Sequence, residues 1–189
     1  MYFYNQKVDL SGFYWWIMFR GSSFHTIDVK CRIIIPKRFR DAIKNNENDG
    51  LMISRMDNGL VAYTLSDWEK IEAKILSLAE KSDSMRRFRR VFIGGAFECS
   101  CDRQDRILVP PTLREYAVLD RDIVIVGVLD HFEIWSRQNW DKENSFMEKD
   151  MQKEDVRNEI ARLGIWSHGL WTYSCHAGGG YGMAQPRAW

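Results

Sequence analysis

The chain has 189 residues, of which 45% are apolar, and its 27 basic residues almost balance its 26 acidic ones. This length fits about one ordinary domain, and the balance excludes a highly charged disordered protein. Four cysteines are too few for a disulfide framework. The longest apolar run, residues 13–19, is far shorter than the ~20 residues of a membrane span, and the start lacks the features of a signal peptide. We therefore expect a cytoplasmic protein with no membrane association.

The two ends differ in composition from the middle. Residues 1–17 contain seven aromatic and two charged residues, and residues 165–189 contain five aromatic residues, five glycines and one charged residue. Neither end shows a helical or strand period, so we interpret both as appended segments, the second of them disordered. His168, Cys175 and His176 lie in the second, but their spacing matches no standard zinc site, and we predict no metal.

The first half of the middle predicts a strand–turn–strand–helix–hairpin–helix unit. Asp28 opens a turn between strands at residues 24–27 and 32–35, and Pro36 ends the second strand and starts a helix over 37–44. A hairpin follows over 51–63, and residues 66–69 form a capping box for a helix that runs to about residue 80.

The second half repeats this order. A basic helix over 85–92 leads to strands at 96–99 and 106–109 around a turn opened by Asp102, and a second hairpin covers 123–135. A mixed-charge helix over 139–163 ends near Gly164. Two tryptophans, Trp68 and Trp140, are expected to pack the helices on the hairpins.

The similarity of the halves is an internal repeat. Residues 28–40 align without a gap with residues 102–114, and residues 51–63 align with residues 123–135. Each unit is too small to bury its own core, so we expect the two to pair about a pseudo-twofold axis and to close a barrel, which removes free sheet edges. The predicted fold class is mainly β with helices (α+β). The predicted segments are an extension (1–17), a first repeat (18–83), a basic linker helix (84–95), a second repeat (96–140), a C-terminal helix (141–164) and a tail (165–189).

Several motifs resemble one known family. Residues 18–21 (Met-Phe-Arg-Gly), the doubled Asp-x-x-x-Arg of Asp28–Arg32 and Asp102–Arg106, and the Phe-Glu-Ile-Trp that ends at Trp135 are similar to the MraZ family over residues 18–164. The resemblance implies two tandem AbrB-like units of the SpoVT–AbrB swapped-hairpin class. It also implies a nucleoid-associated, ring-shaped homo-oligomer that represses the division and cell-wall gene cluster through short direct repeats in promoter DNA.

The sequence departs from this family at two equivalent positions. The family has glycine just before each motif arginine, where this chain has Cys31 and Asp105. Glycine in such a turn supplies a positive φ, so either the turns are rearranged or each site carries about 1–3 kcal/mol of strain. Cys31, next to Lys30 and Arg32, is also a candidate redox thiol, although nothing nearby supplies a resolving thiol, and we favour simple variation.

Charge distinguishes the two repeats. Residues 18–41 contain six basic and two acidic residues, whereas residues 97–115 contain three basic and four acidic ones, so we expect the first repeat to face double-stranded DNA. Arg32, with Lys30 beside it, is the candidate reader of guanine, because one arginine side chain can donate two hydrogen bonds, to O6 and N7 of the base. The candidate phosphate contacts are Arg20, Lys37, Arg38 and Arg40, and the weaker candidates in the second repeat are Arg103 and Arg106. The alternative is that each motif arginine pairs with the aspartate of its own turn.

Two other classes of function stay open. The basic repeat is also suited to an acidic protein partner, which would make the chain an oligomeric interaction module. An enzyme would have to use the glycine-rich residues 178–182 or the pair Cys99 and Cys101, which match no phosphate loop or zinc spacing. We therefore expect no catalytic residues and no cofactor. The arginine run of residues 86–90 is either a solvated helix face or a subunit or DNA contact.

Overall fold

The structure, a computed structural model, describes residues 19–44, 50–77 and 82–164. Both repeats have the order strand, strand, helix, strand, strand, helix, with one further helix between them and one after them. The elements are β1 (Phe19–Thr26), β2 (Arg32–Ile34), α1 (Lys37–Lys44), β3 (Leu51–Met56), β4 (Gly59–Thr64), α2 (Leu65–Ser77), α3 (Asp83–Phe92), β5 (Phe97–Cys99), β6 (Arg106–Leu108), α4 (Pro111–Tyr116), β7 (Asp122–Leu129), β8 (His131–Ser136), α5 (Arg137–Asp150) and α6 (Glu154–Arg162).

The strands of the two repeats are interleaved. The main sheet has the order β1-β7-β8-β4-β3-β5, and its neighbouring strands pair antiparallel. The first strand of each repeat therefore pairs with the hairpin of the other repeat, β1 with β7 and β5 with β3. A separate ladder joins β2 to β6. Since each sheet contains strands from both halves, the two repeats fold as one body.

The closed barrel that the sequence led us to predict is not formed by the described residues. β1 and β5 are the two edge strands of the sheet and lie at opposite ends of its strand order. β5 has only three residues, all of them used in pairing with β3, whereas β1 pairs along eight residues with β7. β1 and β5 do not pair with each other, so the sheet is open.

The main core lies between the sheet and the short helices α1 and α4. α1 buries Phe39, Ala42 and Ile43, the three- and four-residue spacing of a helix with one apolar face. The rings of Phe19 and Phe132 pack against Phe39 with centroid distances of 5.2 and 5.3 Å. Burying one such side chain stabilises the fold by about 1.5–3 kcal/mol, so this aromatic cluster is a main source of stability.

A second core joins α2 and α3 to the first hairpin. Trp68 is 2% exposed and packs against Tyr63 and Phe92, with centroid distances of 6.0 and 5.3 Å. In the second repeat the ring of Trp140 lies 6.2 Å from that of Trp135 on β8. These contacts confirm that both tryptophans pack helices on hairpins.

The capping residue of α2 differs from our prediction. The backbone N–H of Asp67 donates to Oγ1 of Thr64 (3.2 Å), so the cap is Thr64, two residues before the predicted cap Ser66, and the helix begins at Leu65. The equivalent position in the second repeat, Ser136, accepts the backbone N–H of Asn139 (3.2 Å) at the start of α5. The same cap at both positions shows that the repeat extends into the helix starts.

The region predicted as one helix over 139–163 forms two, α5 and α6. Lys153 N–H donates to the Asp150 carbonyl (2.9 Å), an i to i+3 contact that closes α5. The chain divides into one compact unit that ends at Glu143 and another that begins at Asn144, within α5. The predicted segment boundaries stay predictions.

Residues 1–17 and 165–189, and the candidate metal and glycine-rich sites in the latter, lie outside the described residues. Among the helices that the structure does describe, none is long and apolar enough to cross a membrane.

Candidate nucleic-acid interface

The first turn, residues 28–32, is organised by one carboxylate. Oδ1 of Asp28 accepts the backbone N–H groups of Lys30 (2.8 Å) and Arg32 (2.9 Å), and Oδ2 accepts Nε–H of Arg32 (2.8 Å). The N–H of Cys31 donates to the Asp28 carbonyl (2.8 Å), which closes the turn. Aspartate is suited to this position because its short side chain reaches the backbone two residues ahead.

The second turn, residues 102–106, has the same bonds at the equivalent positions. Oδ1 of Asp102 accepts the N–H groups of Gln104 (2.8 Å) and Arg106 (3.0 Å), and Oδ2 accepts Nε–H of Arg106 (2.8 Å). Asp105 N–H donates to the Asp102 carbonyl (2.9 Å). The alternative that each motif arginine pairs within its own turn is therefore what the structure contains.

The antiparallel β2–β6 ladder links the two turns, each of which directly precedes one of its strands. Its centre is the pair Ile33 and Ile107, and each turn accepts one backbone bond from the other strand. These bonds are Ile35 N–H to the Asp105 carbonyl (3.1 Å) and Val109 N–H to the Cys31 carbonyl (3.2 Å). The arrangement is a pseudo-twofold ribbon, with equivalent residues on its two sides.

The four charged side chains of the two motifs form one network across this pseudo-axis. Arg32 lies 2.6 Å from Asp28 and 3.8 Å from Asp102, and Arg106 lies 2.6 Å from Asp102 and 3.9 Å from Asp28. The hydrogen bonds from Arg32 lower the pKa of Asp28, and those from Arg106 lower the pKa of Asp102 to about 2. Both carboxylates are ionised at neutral pH, so the network holds the turns rigidly and its charges cancel.

Cys31 and Asp105 adopt the left-handed conformation that glycine favours, with φ of 62° and 59°. The turns are thus not rearranged, and the strain remains. Asp105 has a compensating contact, because its carboxylate accepts bonds from Arg40 and from Nζ of Lys44 (3.1 Å) on α1. Lys44 and Arg40 lower the pKa of Asp105. Cys31, at the equivalent position, has no carboxylate to make such contacts, and a redox role for its thiol stays the less favoured alternative to simple variation.

The apex of each turn points its side chains into solvent. Val29 is fully exposed, and Lys30, Arg103 and Gln104 are exposed. The structure thus exposes the predicted residues Lys30 and Arg103 at the two apices, and we call these four exposed residues together the apex surface. Val29 and Gln104 were not among the predicted site residues, although they align in the internal repeat with Arg103 and Lys30, which were.

The outer face of the ribbon also carries apolar residues. Ile34 is 54% exposed and its equivalent Leu108 is 58% exposed. Each is paired across the ladder with a motif arginine, Ile34 with Arg106 and Leu108 with Arg32.

The predicted phosphate contacts lie in different places. Arg20 is exposed on β1 and Lys37 is exposed at the start of α1. Arg38 lies beside Gly21, since a Cβ built on this glycine would be 3.4 Å from Nη2 of Arg38. Burial and then the charge of Arg38 lower the pKa of His25. Arg40 is bound to the second turn through Asp105. Arg20 and Arg38 therefore lie towards the start of β1, whereas the first turn follows its end.

The arginine run on α3 is divided between two roles. Arg86 pairs with Asp83, and Arg89 donates to the Ile75 carbonyl. Arg87 and Arg90 are exposed. Part of the run therefore stabilises the helix and its contact with α2.

Cys99, the first of the two cysteines of the second repeat, is buried. Burial, with Cys101 and Glu98 nearby, raises the pKa of Cys99 to about 11, so this thiol is protonated at neutral pH. No group of three or more histidine, cysteine, aspartate or glutamate residues suited to a metal occurs within residues 19–44, 50–77 and 82–164.

Comparison with known proteins identifies the family. The family model described as MraZ protein matches residues 18–91 and again 92–171. The chain is 60% identical over 121 residues to the transcriptional regulator MraZ of Desulforapulum autotrophicum, covering 64% of this chain and 82% of that protein. It is 56% identical over 120 residues to the protein of the same name from Desulfosudis oleivorans (64% and 81%) and 46% identical over 119 residues to that from Syntrophobacter fumaroxidans (63% and 79%). The chain, with its two tandem units and paired Asp-x-x-x-Arg turns, belongs to the MraZ family.

Proposed function

We propose that this protein is a sequence-specific DNA-binding transcription regulator whose paired turns contact the duplex. The observation that carries the proposal is the pair of interlocked turns, which expose Lys30 and Arg103 from a rigid ribbon. Two-stranded ribbons fit the major groove, and basic side chains there contact guanine or phosphate. The names of the relatives, each a transcriptional regulator, support the same function.

In this proposal the residues of the turns have two roles. Lys30 and Arg103 contact DNA directly, because their side chains are exposed at the apices. Arg32 and Arg106 position the turns, because Nε and one terminal nitrogen of each already bind an aspartate. The sequence-based hypothesis that Arg32 reads guanine stays a prediction, and the occupied edge of its guanidinium favours the positioning role.

The flanking basic residues supply affinity. Arg20, Lys37 and Arg38 are exposed and are proposed to contact phosphates, which adds binding energy without sequence preference. Arg40 is proposed to act indirectly, by holding the second turn through Asp105.

The wider role follows from membership of the family. The protein is proposed to repress the division and cell-wall gene cluster as a ring-shaped homo-oligomer in the nucleoid, bound to short direct repeats in the promoter. Weak contacts from several subunits would add through their high effective concentration, so one repeat alone would bind weakly.

The test is fluorescence anisotropy with duplex DNA from upstream of the protein's own gene and a scrambled duplex, as a function of salt. Lys30→Ala and Arg103→Ala should each weaken promoter binding about tenfold, the value of one good base contact, and should reduce the salt slope by about one. Lys142→Ala removes the same charge from an exposed site on α5 and should change neither. Equal, weak binding of both duplexes by the unmodified protein contradicts the proposal.

One observation favours a second candidate, a module that binds an acidic protein. The exposed Ile34 and Leu108 give the ribbon an apolar component that a protein partner would cover. A labelled acidic peptide in the same assay distinguishes the two. Salt-dependent preference for the promoter supports the regulator, whereas tight peptide binding without promoter preference supports the module.

A further inference from the structure

The aspartate, the arginine and the backbone hydrogen bonds of each turn, which we call its frame, are equivalent in the two turns. This equivalence limits which residues can give a preference for one DNA sequence over another. The same aspartate, arginine and backbone bonds recur in both turns, and the cross-axis distances of 3.8 and 3.9 Å are nearly equal. A frame with this pseudo-twofold symmetry presents the same groups to both ends of a DNA element. Any difference between the two ends must come from side chains that differ between the turns.

Three pairs of equivalent residues differ between the turns, and only two of these pairs are exposed at the apices. The third pair is Cys31 and Asp105, and the carboxylate of Asp105 is already bound by Arg40 and Lys44. The exposed pairs are Val29 with Arg103 and Lys30 with Gln104. The backbone under the second pair is fixed identically, because Lys30 N–H and Gln104 N–H each donate to their aspartate at 2.8 Å.

These four side chains have different preferences among bases. Arginine binds guanine O6 and N7, and glutamine binds adenine N6 and N7. Lysine also contacts guanine, and an apolar side chain packs against the thymine methyl group. The second apex therefore suits guanine next to adenine, and the first suits guanine next to thymine.

We propose that the apex surface gives DNA recognition a direction, so that each protomer binds a non-palindromic element. Arg103 and Gln104 specify one end of that element, and Val29 and Lys30 specify the other. This inference rests on the proposed DNA-binding function and adds to it the residues that determine orientation.

The experiment is selection of bound duplexes from a randomised library with the full chain and two symmetrised variants. Val29→Arg/Lys30→Gln gives both turns the second apex, and Arg103→Val/Gln104→Lys gives both turns the first. Each double variant keeps the net charge, so the electrostatic part of binding is matched. All four positions are exposed, so the fold should be retained, and circular dichroism melting checks this.

The unmodified protein should enrich a non-palindromic element, and each symmetrised variant should enrich an inverted repeat of one of its ends. The control Lys142→Gln should enrich the same element as the unmodified protein. A palindromic element for the unmodified protein, or an unchanged element for folded symmetrised variants, overturns this inference while leaving DNA binding intact. No enrichment by the unmodified protein would overturn the proposed function itself, and this inference with it.

Discussion

The two turns share their aspartate, their arginine and the bonds between them, but they differ at the three positions in between. Asp28 and Asp102 are equivalent and make the same backbone and arginine bonds. Between aspartate and arginine, no residue is the same in the two turns. The comparison shows that one carboxylate and one guanidinium are enough to specify the turn, which leaves its apex free to diverge in binding chemistry.

The cores under the turns have diverged in a similar way. Phe39 of α1 corresponds to Leu113 of α4, and Phe132 of β8 corresponds to Leu60 of β4. All four are fully buried or nearly so. The first repeat's helix therefore joins an aromatic cluster, whereas its equivalent packs through aliphatic groups, and the stability of the shared body should depend more on α1.

The largest effect that tests this comparison is loss of an aromatic ring from the cluster. Phe39→Ala should lower the free energy of unfolding by about 4 kcal/mol, because it removes ring contacts to Phe19 and Phe132 and leaves a cavity. The matched variant Leu113→Ala should cost about 3 kcal/mol. Urea unfolding followed by tryptophan fluorescence measures both, and a larger loss for Leu113→Ala would contradict this ranking.

Features set by nearby residues were predictable from the sequence. Pro36 marks the start of α1, which the structure confirms at Lys37–Lys44, and the turn at Asp57 and Asn58 fixes the first hairpin. Both residues of that turn have positive φ, 50° and 63°, which aspartate and asparagine tolerate better than most. The internal repeat indicated that two like units would share one body.

Features set by distant contacts were not predictable. β1 is longer than expected because its first residues pair with β7, a strand more than a hundred positions away. The sheet would close only if β1 paired with β5, a contact between distant segments that the sequence pattern does not settle. The pairing of Arg32 with Asp28 at 2.8 Å is a local contact, and the sequence left it as one of two alternatives because the motif spacing permits it but does not require it.

A smaller effect should distinguish the two left-handed positions. Cys31→Gly should raise the free energy of unfolding by about 1 kcal/mol, because glycine adopts a φ of 62° without the steric cost of a Cβ. Asp105→Gly relieves the same strain but loses the contacts to Arg40 and Lys44, so it should give a smaller gain. Urea midpoints of the two variants provide the measurement. A larger gain at Asp105 than at Cys31 would show that the contacts to α1 contribute nothing.

The smallest effect concerns the histidines of the two repeats. Burial and then Arg38 lower the pKa of His25 below 6.5. Burial also acts to lower the pKa of His131, but hydrogen bonds to Glu133 and Asp130 outweigh it and raise that pKa above 6.5. His131 therefore stabilises the fold below pH 6.5, and this contribution is lost as the pH rises through its folded-state pKa. His25 has the opposite sign, since its charging opposes folding and stability falls as the pH drops below 6.5.

Histidine ring resonances followed by NMR against pH should show His131 titrating above His25, with His25→Gln and His131→Gln assigning these two among the four histidines of the chain. Glu133→Gln removes one partner of His131 and should lower its titration midpoint, while leaving that of His25 unchanged. An unchanged midpoint for His131 in Glu133→Gln would show that Glu133 does not raise the pKa of this histidine. The raised pKa of His131, in contrast to the lowered pKa of His25, would then be due to Asp130 alone, a residue in the exposed turn between β7 and β8.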